Sequence, residues 1–361
     1  MKLEYAIEFI TSYNTKMAPA AVSDPLPFAG PPKVVGPATK SITRPTNPLP
    51  QWLIDEAKVD KKESFDASKH LCFQPPQKIY TMAEIGLKGQ GISPHAASEP
   101  FPLFTQEAIK QMRSEIFSKD TVDNCQYAST FNKNMIRGMG PVRAPFIYDA
   151  WNSPELLAKI SEVAGIEVVP ALDLDIGNVN ISVNDGDSNV AEEDGPLDEL
   201  SSVAWHYDSY PFVCVTMLSD CEGMVGGETA LRMPTGEIMK VRGPAMGTAV
   251  VLQGRYIEHQ ALKALGGRER ITMVTSFRAK SPFIKDETVL TGVRPISILS
   301  DLYNQYTQYR LEVLEDRIRD RLKRERQREL AKRPFDIADV RKWLMEQRGF
   351  IDSMLQEIYD V

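Results

Sequence analysis

In the stretch SSVAWHYDSYPFVCVTM, residues 201–217, a histidine and an aspartate stand two apart, His206 and Asp208. In an extended strand, residues i and i+2 point to one face with Cα atoms roughly 6.6 Å apart, so this imidazole and this carboxylate can reach one ion. A third ligand must come from elsewhere in the chain. Of the four histidines, His70, His95, His206 and His259, the available donor is His259 in QGRYIEHQAL. Two neutral imidazoles and one carboxylate occupy one face of an octahedron and leave three positions open. That set suits a non-haem Fe(II) that must bind a cosubstrate and O2. An HxD pair by itself arises often by chance, and a zinc hydrolase uses the same ligand types. Further on, Arg270 and Thr272 fall on one face of the strand-like RITMVTSFR. A guanidinium beside a hydroxyl makes a receptor for a carboxylate. Taken singly, Arg270 reads as a surface ion pair and Thr272 as an ordinary strand residue.

These residues need strands to position them. From about residue 174 the apolar period is two: NVNISVN sets Asn178, Asn180 and Ser182 against Val179, Ile181 and Val183. The runs GGETALRM, GEIMKVRG, GTAVVLQG and RITMVTSFR follow, with MPTGE as a hairpin turn. Many short strands without interleaved helices predict an antiparallel barrel or jelly roll. GTAVVLQG ends just before His259, as a barrel strand delivering a ligand to a rim would. Helical patterns flank this region, at TQEAIKQMRSEIF (105–117) and SPELLAKISEVAG (153–165). In the second, Ser153 is the expected N-cap, Pro154 the first helical residue and Gly165 the C-cap. After Pro282 the helical period returns, with Leu311, Leu314, Ile318 and Leu322 on one stripe and Ile337, Val340, Leu344 and Leu355 on another. A helical hairpin over 299–361, broken near Pro334, is expected, for core packing or for a homodimer. At the other end, residues 1–14 could form an amphipathic helix, followed by a Pro-rich arm. The expected fold class is α+β, divided into 1–60 (helix and arm), 61–170 (mostly helical), 171–283 (the strand core) and 284–361 (the helical hairpin).

The chain has 361 residues, 42% hydrophobic and 25% charged, which fits a globular protein. A net charge of −7 argues against nucleic acid or an anionic membrane as partner. No apolar run is long enough to span a bilayer, and the N-terminus lacks a convincing cleavage site. Cys72, Cys125, Cys214 and Cys221 show no CxxC spacing and read as reduced thiols of a cytoplasmic protein. GLKGQG (86–91) lacks phosphate-loop spacing, and DGDSNVAEEDGP places Val190 and Pro196 where a calcium loop needs Gly and Glu.

Taken in order, HYD, GGET, LQG, the distal His and RIT resemble the Fe(II)- and 2-oxoglutarate-dependent oxygenase superfamily, over roughly residues 174–280. The resemblance implies a double-stranded β-helix (jelly-roll) core and kinship with fungal oxygenases of specialised metabolism, near those that oxidise free amino acids and close an aziridine ring on valine. It implies that His206, Asp208 and His259 hold Fe(II) and that 2-oxoglutarate chelates it through its 2-oxo and C1 carboxylate groups. Arg270 and Thr272 would take the distal carboxylate of 2-oxoglutarate, and O2 the last site. The products would be succinate, CO2 and a small molecule oxidised at an unactivated C–H bond, by hydroxylation, desaturation or ring closure. Plant-type members carry NxYP ahead of HxD; NVNISVN stands there instead, so the extra cosubstrate contact is expected from Asn180 or Ser182. For the substrate, Tyr210 and Phe212 are expected on the metal-side face, and Arg232 and Arg255 are candidates for a substrate carboxylate. Trp205 and Tyr207 alternate away from His206 and are expected in core packing. Arg278 shares the Arg270 face but lies roughly 26 Å further along a strand, too far to bind the same carboxylate. Two other readings remain: a cupin-like metalloenzyme without 2-oxoglutarate, in which Arg270 is dispensable, and a non-catalytic jelly-roll interaction protein that works through its C-terminal helices.

Overall fold

The computed structural model describes residues 31–34, 48–129, 134–183, 201–241, 245–262 and 264–360. The expected helix over 1–14, most of the Pro-rich arm and the acidic segment DGDSNVAEEDGP lie outside the described residues.

Two strands, β1 (Ile79–Thr81) and β2 (His95–Ser98), precede a helical layer. That layer holds α1 (Gln106–Ile116), α2 (Pro145–Asn152) and α3 (Pro154–Ala164). Thr105 caps α1 by accepting the Ala108 N–H, and Ser153 caps α3 by accepting the Leu156 N–H. Gly165 closes α3 with φ 74°, a left-handed conformation that costs glycine nothing. The strands that form the two facing sheets follow: β3 (Asn178–Val183), β4 (Ser201–His206), β5 (Phe212–Met217), β6 (Thr229–Arg232), β7 (Ile238–Val241), β8 (Thr248–Leu252), β9 (Glu258–Leu262) and β10 (Glu269–Ala279). The larger sheet runs β1-β2-β8-β5-β10-β3 and continues through Met135–Ile136 to Gln126–Tyr127; the smaller runs β7-β6-β9-β4. Neighbours in both are antiparallel. From β3 to β10 the chain crosses between the sheets at every step except the β6–β7 hairpin, an order consistent with a jelly-roll core.

The larger sheet has two unlike faces. Val179, Ile181, Phe212, Cys214, Ile271 and Met273 point outward and pack with Ile109, Met112, Trp151 and Ile160 of the helical layer. Each fully buried side chain of this kind contributes about 1.5–3 kcal/mol. The alternate residues point inward, toward the smaller sheet. Among the described residues no helix is long and apolar enough to cross a membrane.

The C-terminal hairpin consists of α4 (Leu299–Leu330) and α5 (Ile337–Glu357), with the break at Lys332 (φ 50°) and Pro334. Its buried face is not the expected stripe. Leu302, Tyr306, Tyr309 and Val313 of α4 meet Phe350 and Met354 of α5, and with them cover Leu172, Tyr210 and Val293. Leu311, Ile318 and Leu322 are 52%, 41% and 50% exposed, and Ile337, Leu344 and Leu355 also face solvent. A hydropathy pattern misses the true face because it is built from tyrosines and an arginine. Arg310 is fully buried: it pairs with Asp286 Oδ2 (2.9 Å), donates to the Phe350 carbonyl (3.0 Å) and lies 3.6 Å over the Phe350 ring. Burial opposes ionisation of Asp286, but the Arg310 guanidinium outweighs it and holds the carboxyl below its ordinary range. Replacing Arg310 by Met leaves the Asp286 charge buried and unpaired, so Arg310→Met should lose about 3–5 kcal/mol in urea unfolding, and Asp286→Asn in the same chain should restore part of that loss.

Candidate metal centre

His206 is the last residue of β4 and His259 the second of β9. The two are direct cross-strand partners, with ring centroids 4.3 Å apart. Asp208 lies beyond the end of β4, in the turn toward β5, and so does not reach the site by strand alternation. Its backbone N–H instead donates to the Gly254 carbonyl at 2.9 Å. The strand GTAVVLQG also differs from expectation. As β8 it belongs to the larger sheet, and the ligand it was expected to deliver rides on the next strand in the smaller one. What this segment supplies is Gly254: a Cβ there would lie 1.8 Å from Asp208 Oδ2.

The three side chains converge. Asp208 Oδ1 lies 3.5 Å from His206 Nε2, Asp208 Oδ2 lies 3.5 Å from His259 Nε2, and the ligand atoms all fall within 4.8 Å of one another. Each imidazole is oriented from behind, His206 Nδ1 meeting the Ala204 carbonyl (2.8 Å) and His259 Nδ1 the Ile257 carbonyl (2.9 Å). A carbonyl only accepts, so Nδ1 carries the proton and Nε2 keeps its lone pair for a ligand. Asp208 Oδ2 is buried without a hydrogen-bond partner. An orphaned carboxylate oxygen beside two Nε2 lone pairs is a donor set that fits a divalent cation. Burial pushes His259 down to about 4, the Asp208 charge only partly offsetting it, so this imidazole is neutral at pH 7. Burial also opposes charge on His206, but hydrogen bonding and proximity to Asp208 outweigh it and raise its pKa. Asp208 is held below its ordinary range: burial opposes this, and the charge of His259 together with the hydrogen bond and charge of His206 prevails.

The triad opens on a cavity of about 220 Å³ between the sheets. Asn180, Ser182, Arg270 and Thr272 all line it. Register explains why: Arg270 faces Ser182 and Thr272 faces Asn180 across the β10–β3 ladder, all on the inward side. The Arg270 Nη2 donates to the Gly227 carbonyl (3.1 Å), while its Nε is buried and meets no acceptor. Burial lowers its pKa, the mark of a cation short of counter-charge. Gly227 belongs to the GGET turn, and with φ 74° it lets the turn pass against Arg270, whose Nε lies 3.2 Å from where a Cβ would be.

Of the expected substrate contacts, Tyr210 lines the cavity. Phe212 does not: it packs into the core under the helical layer. Residues 207–211 form a turn, so alternation does not carry from Tyr210 into β5, whose inward residues are Val213 and Val215. Arg232 pairs with Glu258 at 2.9 Å and stacks 4.0 Å over the Trp205 ring, outside the cavity. Trp205 is accordingly a stacking partner rather than core. Arg255 is buried and donates to the backbone carbonyls of Glu287 (2.9 Å) and Pro32 (2.5 Å), a structural role away from the cavity. Tyr207, expected in core packing, lines the cavity. Arg278 lies 4.7 Å over the Tyr309 ring and does not line the cavity. Unforeseen are Tyr127, Arg137, Asp175 and Asn178, which line the far end of the same cavity. They come from three separate stretches of chain, and nothing in their spacing ties them together.

No protein-family model matches the chain, and no curated protein matches it in sequence. Solved structures match in part. An oxidoreductase of the 2OG-Fe(II) oxygenase family from Burkholderia pseudomallei is 16% identical, covering 38% of this chain and 57% of its own, at a TM-score of 0.29. A prolyl-4-hydroxylase from Pseudomonas putida is 17% identical, covering 48% of this chain and 88% of its own, at 0.32. HygX from Streptomyces hygroscopicus, solved with nickel, 2-oxoglutarate and hygromycin B bound, is 14% identical, covering 51% of this chain and 83% of its own, at 0.33. The chain thus spans little more than half the length of the first of these. The likeness is partial, and the functional reading rests on the site itself.

Gly254→Ala tests how the carboxylate is held. The new methyl group must displace Asp208, so Co(II) affinity by calorimetry should fall about 10–100-fold, as when support to a metal ligand is lost. Circular dichroism should remain that of the parent. Unchanged Co(II) affinity would show that Asp208 is not a ligand.

Proposed function

We propose that this protein is an Fe(II)- and 2-oxoglutarate-dependent oxygenase with a double-stranded β-helix core. The observation that carries the reading is one cavity in which His206, Asp208 and His259 converge while Arg270, a cation whose Nε is buried without an acceptor, stands apart on the opposite sheet. His206, Asp208 and His259 would hold Fe(II). The ion, with O2 and 2-oxoglutarate, supplies the oxidising chemistry that couples loss of CO2 from 2-oxoglutarate to oxidation of a C–H bond of a small molecule, leaving succinate. The chain's own part is binding and exclusion. Arg270, whose Nε is left without an acceptor, would hold the distal carboxylate of 2-oxoglutarate through its guanidinium, and Thr272 would add a hydroxyl, with Asn180 and Ser182 facing them from β3. Val213, Val215, Val250 and Leu252 line the inward faces of β5 and β8 and keep water from the reacting centre. Kinship with fungal oxygenases of specialised metabolism, near those acting on amino acids, and a cytoplasmic setting belong to the same proposal and rest on the sequence.

The cupin-like reading uses the same three ligands but gives Arg270 nothing to do. Anaerobically Fe(II)-loaded protein given 2-oxoglutarate and O2 should form succinate, detected by mass spectrometry, and His206→Ala should abolish it. Arg270→Lys keeps the charge and loses the fork. One charge-assisted hydrogen bond is worth about 1.5–3 kcal/mol, so the half-saturating 2-oxoglutarate concentration should rise roughly ten- to a hundredfold. Arg270→Ala should be worse still, with Fe(II) binding retained in both. An unchanged half-saturation in Arg270→Ala would overturn the cosubstrate assignment.

We further propose that a second copy of the chain covers the exposed row Leu311, Ile318 and Leu322, which falls on one side of α4 away from its packed face. Light scattering should then give a dimer that Ile318→Glu converts to a monomer. A monomer at every concentration would remove this proposal.

A further inference from the structure

The cavity has a second polar end. Arg137 and Asp175 form an ion pair at 2.8 Å, with side chains only 4% and 2% exposed. The Asp175 carboxylate is a hub: its Oδ1 accepts from Arg137 Nη2 and from Asn178 Nδ2 (3.0 Å), and its Oδ2 accepts from the Tyr210 hydroxyl (2.5 Å). Arg137 Nη1 donates to Ser297 Oγ (2.5 Å) and the Ile296 carbonyl (3.3 Å). Four segments of chain are thus fixed around one carboxylate, on a cavity wall rather than in the core. An ion pair this deeply buried is a poor source of stability, because desolvation offsets the attraction. Its value here lies in what it leaves over. Arg137 Nε, Asn178 Oδ1 and the Tyr127 hydroxyl are all buried, all without hydrogen-bond partners, and all on residues that line this cavity. Buried polar atoms are nearly always paired, so three orphans on one wall point to a ligand that pairs them.

Register separates this end from the carboxylate receptor. On the β10–β3 ladder Arg270 faces Ser182 and Val274 faces Asn178, four residues on, or about 13 Å along the sheet. The chemistry of the two ends also differs. Asp175 neutralises Arg137, so the wall carries no net charge. A lone carboxylate here would face the Asn178 oxygen, and a lone ammonium would face the guanidinium. What satisfies both is an acceptor atom for Arg137 Nε set beside an N–H donor for Asn178 Oδ1. Arg137 and Asn178 share one Asp175 oxygen, which keeps their two groups on one patch of wall. The nearby lining, Val213, Val215, Val293 and Ile296, is aliphatic. A cavity of about 220 Å³ lies below the roughly 300–1,000 Å³ of pockets for drug-sized ligands.

We infer that Arg137, Asn178 and Tyr127, held in place by Asp175, grip the head of a small molecule with no net charge, in which a hydrogen-bond acceptor adjoins an N–H donor on a short aliphatic body. A carboxamide or lactam and a zwitterionic α-amino acid share this chemistry. That this molecule is the substrate rests on the oxygenase reading; that the site binds it does not.

The test is calorimetry on the full chain with four probes of closely similar aliphatic body: isovaleramide, valine, isovalerate and isopentylamine. Titrations are run with Zn(II) and 2-oxoglutarate present, which cannot turn over, and again without them. Isovaleramide or valine should bind about tenfold or more tightly than both singly charged probes, and which of the two leads separates an amide from a zwitterion as the natural head. Asn178→Leu should remove that preference, and Tyr127→Phe, which changes one atom and no shape, should weaken the preferred probe several-fold. The inference is overturned if isovalerate or isopentylamine binds as well as the better of the other two. It is equally overturned if none of the four gives heat, or if both variants leave the ranking and affinities unchanged. Zn(II) titration of the same samples reports on the triad alone: weak Zn(II) binding with the probe ranking intact would sink the oxygenase reading and leave this subsite standing.

Discussion

The backbone hydrogen bond from Asp208 to the Gly254 carbonyl ties together two crossovers, β4 to β5 and β8 to β9, where the chain passes between the sheets. It joins the two crossovers at one rim of the cavity, and the placing of Asp208 follows from it. With the crossovers tied, Asp208 sits beside Gly254, and the absence of a Cβ there leaves room for its carboxylate to face the two histidines. Those histidines are already side by side by register, each turned inward by a backbone carbonyl behind it. The three side chains therefore converge through main-chain geometry, with little left to side-chain freedom. That matches what a metal site needs, since a ligand free to rotate loses affinity through entropy.

Much of this was legible in the sequence, and the parts that were not share a cause. Strands with clean alternation, such as NVNISVN and RITMVTSFR, could be placed, and so could the inward pairing of Arg270 with Thr272. The caps of α3 could be read as well, because Ser153, Pro154 and Gly165 are local signals. Local rules failed where the chain turns. Alternation predicts that Tyr207 points away from the site and Phe212 toward it; the turn over 207–211 reverses both. Partners across a ladder were likewise invisible: Arg232 is occupied by Glu258, its register neighbour on β9, which no spacing announces. The Arg137–Asp175 pair joins residues 38 apart through tertiary packing alone. On α4, hydropathy misassigned the buried face because Arg310, the most polar residue on it, is also among its most buried.

The two faces of the larger sheet are used differently. Its outward residues are apolar and pack on helices, whereas its inward residues mix Val213, Val215, Val250 and Leu252 with Arg270, Thr272, Asn180 and Asn178. Burial against the helices thus anchors this sheet from outside, so its inner face can carry polar groups beside apolar ones. The hairpin of α4 and α5 extends the same support to the far wall, since Tyr210 and Val293 pack on it from behind while lining the cavity in front.

The smaller sheet is backed differently: Leu231 and Val241 pack with Met82, Ile85 and Leu87 and with Val213, Val250 and Leu252 of the larger sheet. Its strands are short, and on β7 Ile238 and Met239 are only half-buried while Lys240 is exposed. Both histidines ride on this sheet, whereas Arg270 rides on the sheet backed by helices. A carboxylate bound at Arg270 would thus be held by the sheet that packs on helices, and an ion bound by His206 and His259 by the other sheet. Retention of the two would then answer to different substitutions, those in β6 or β9 for the ion and those in β10 or α1 for the carboxylate.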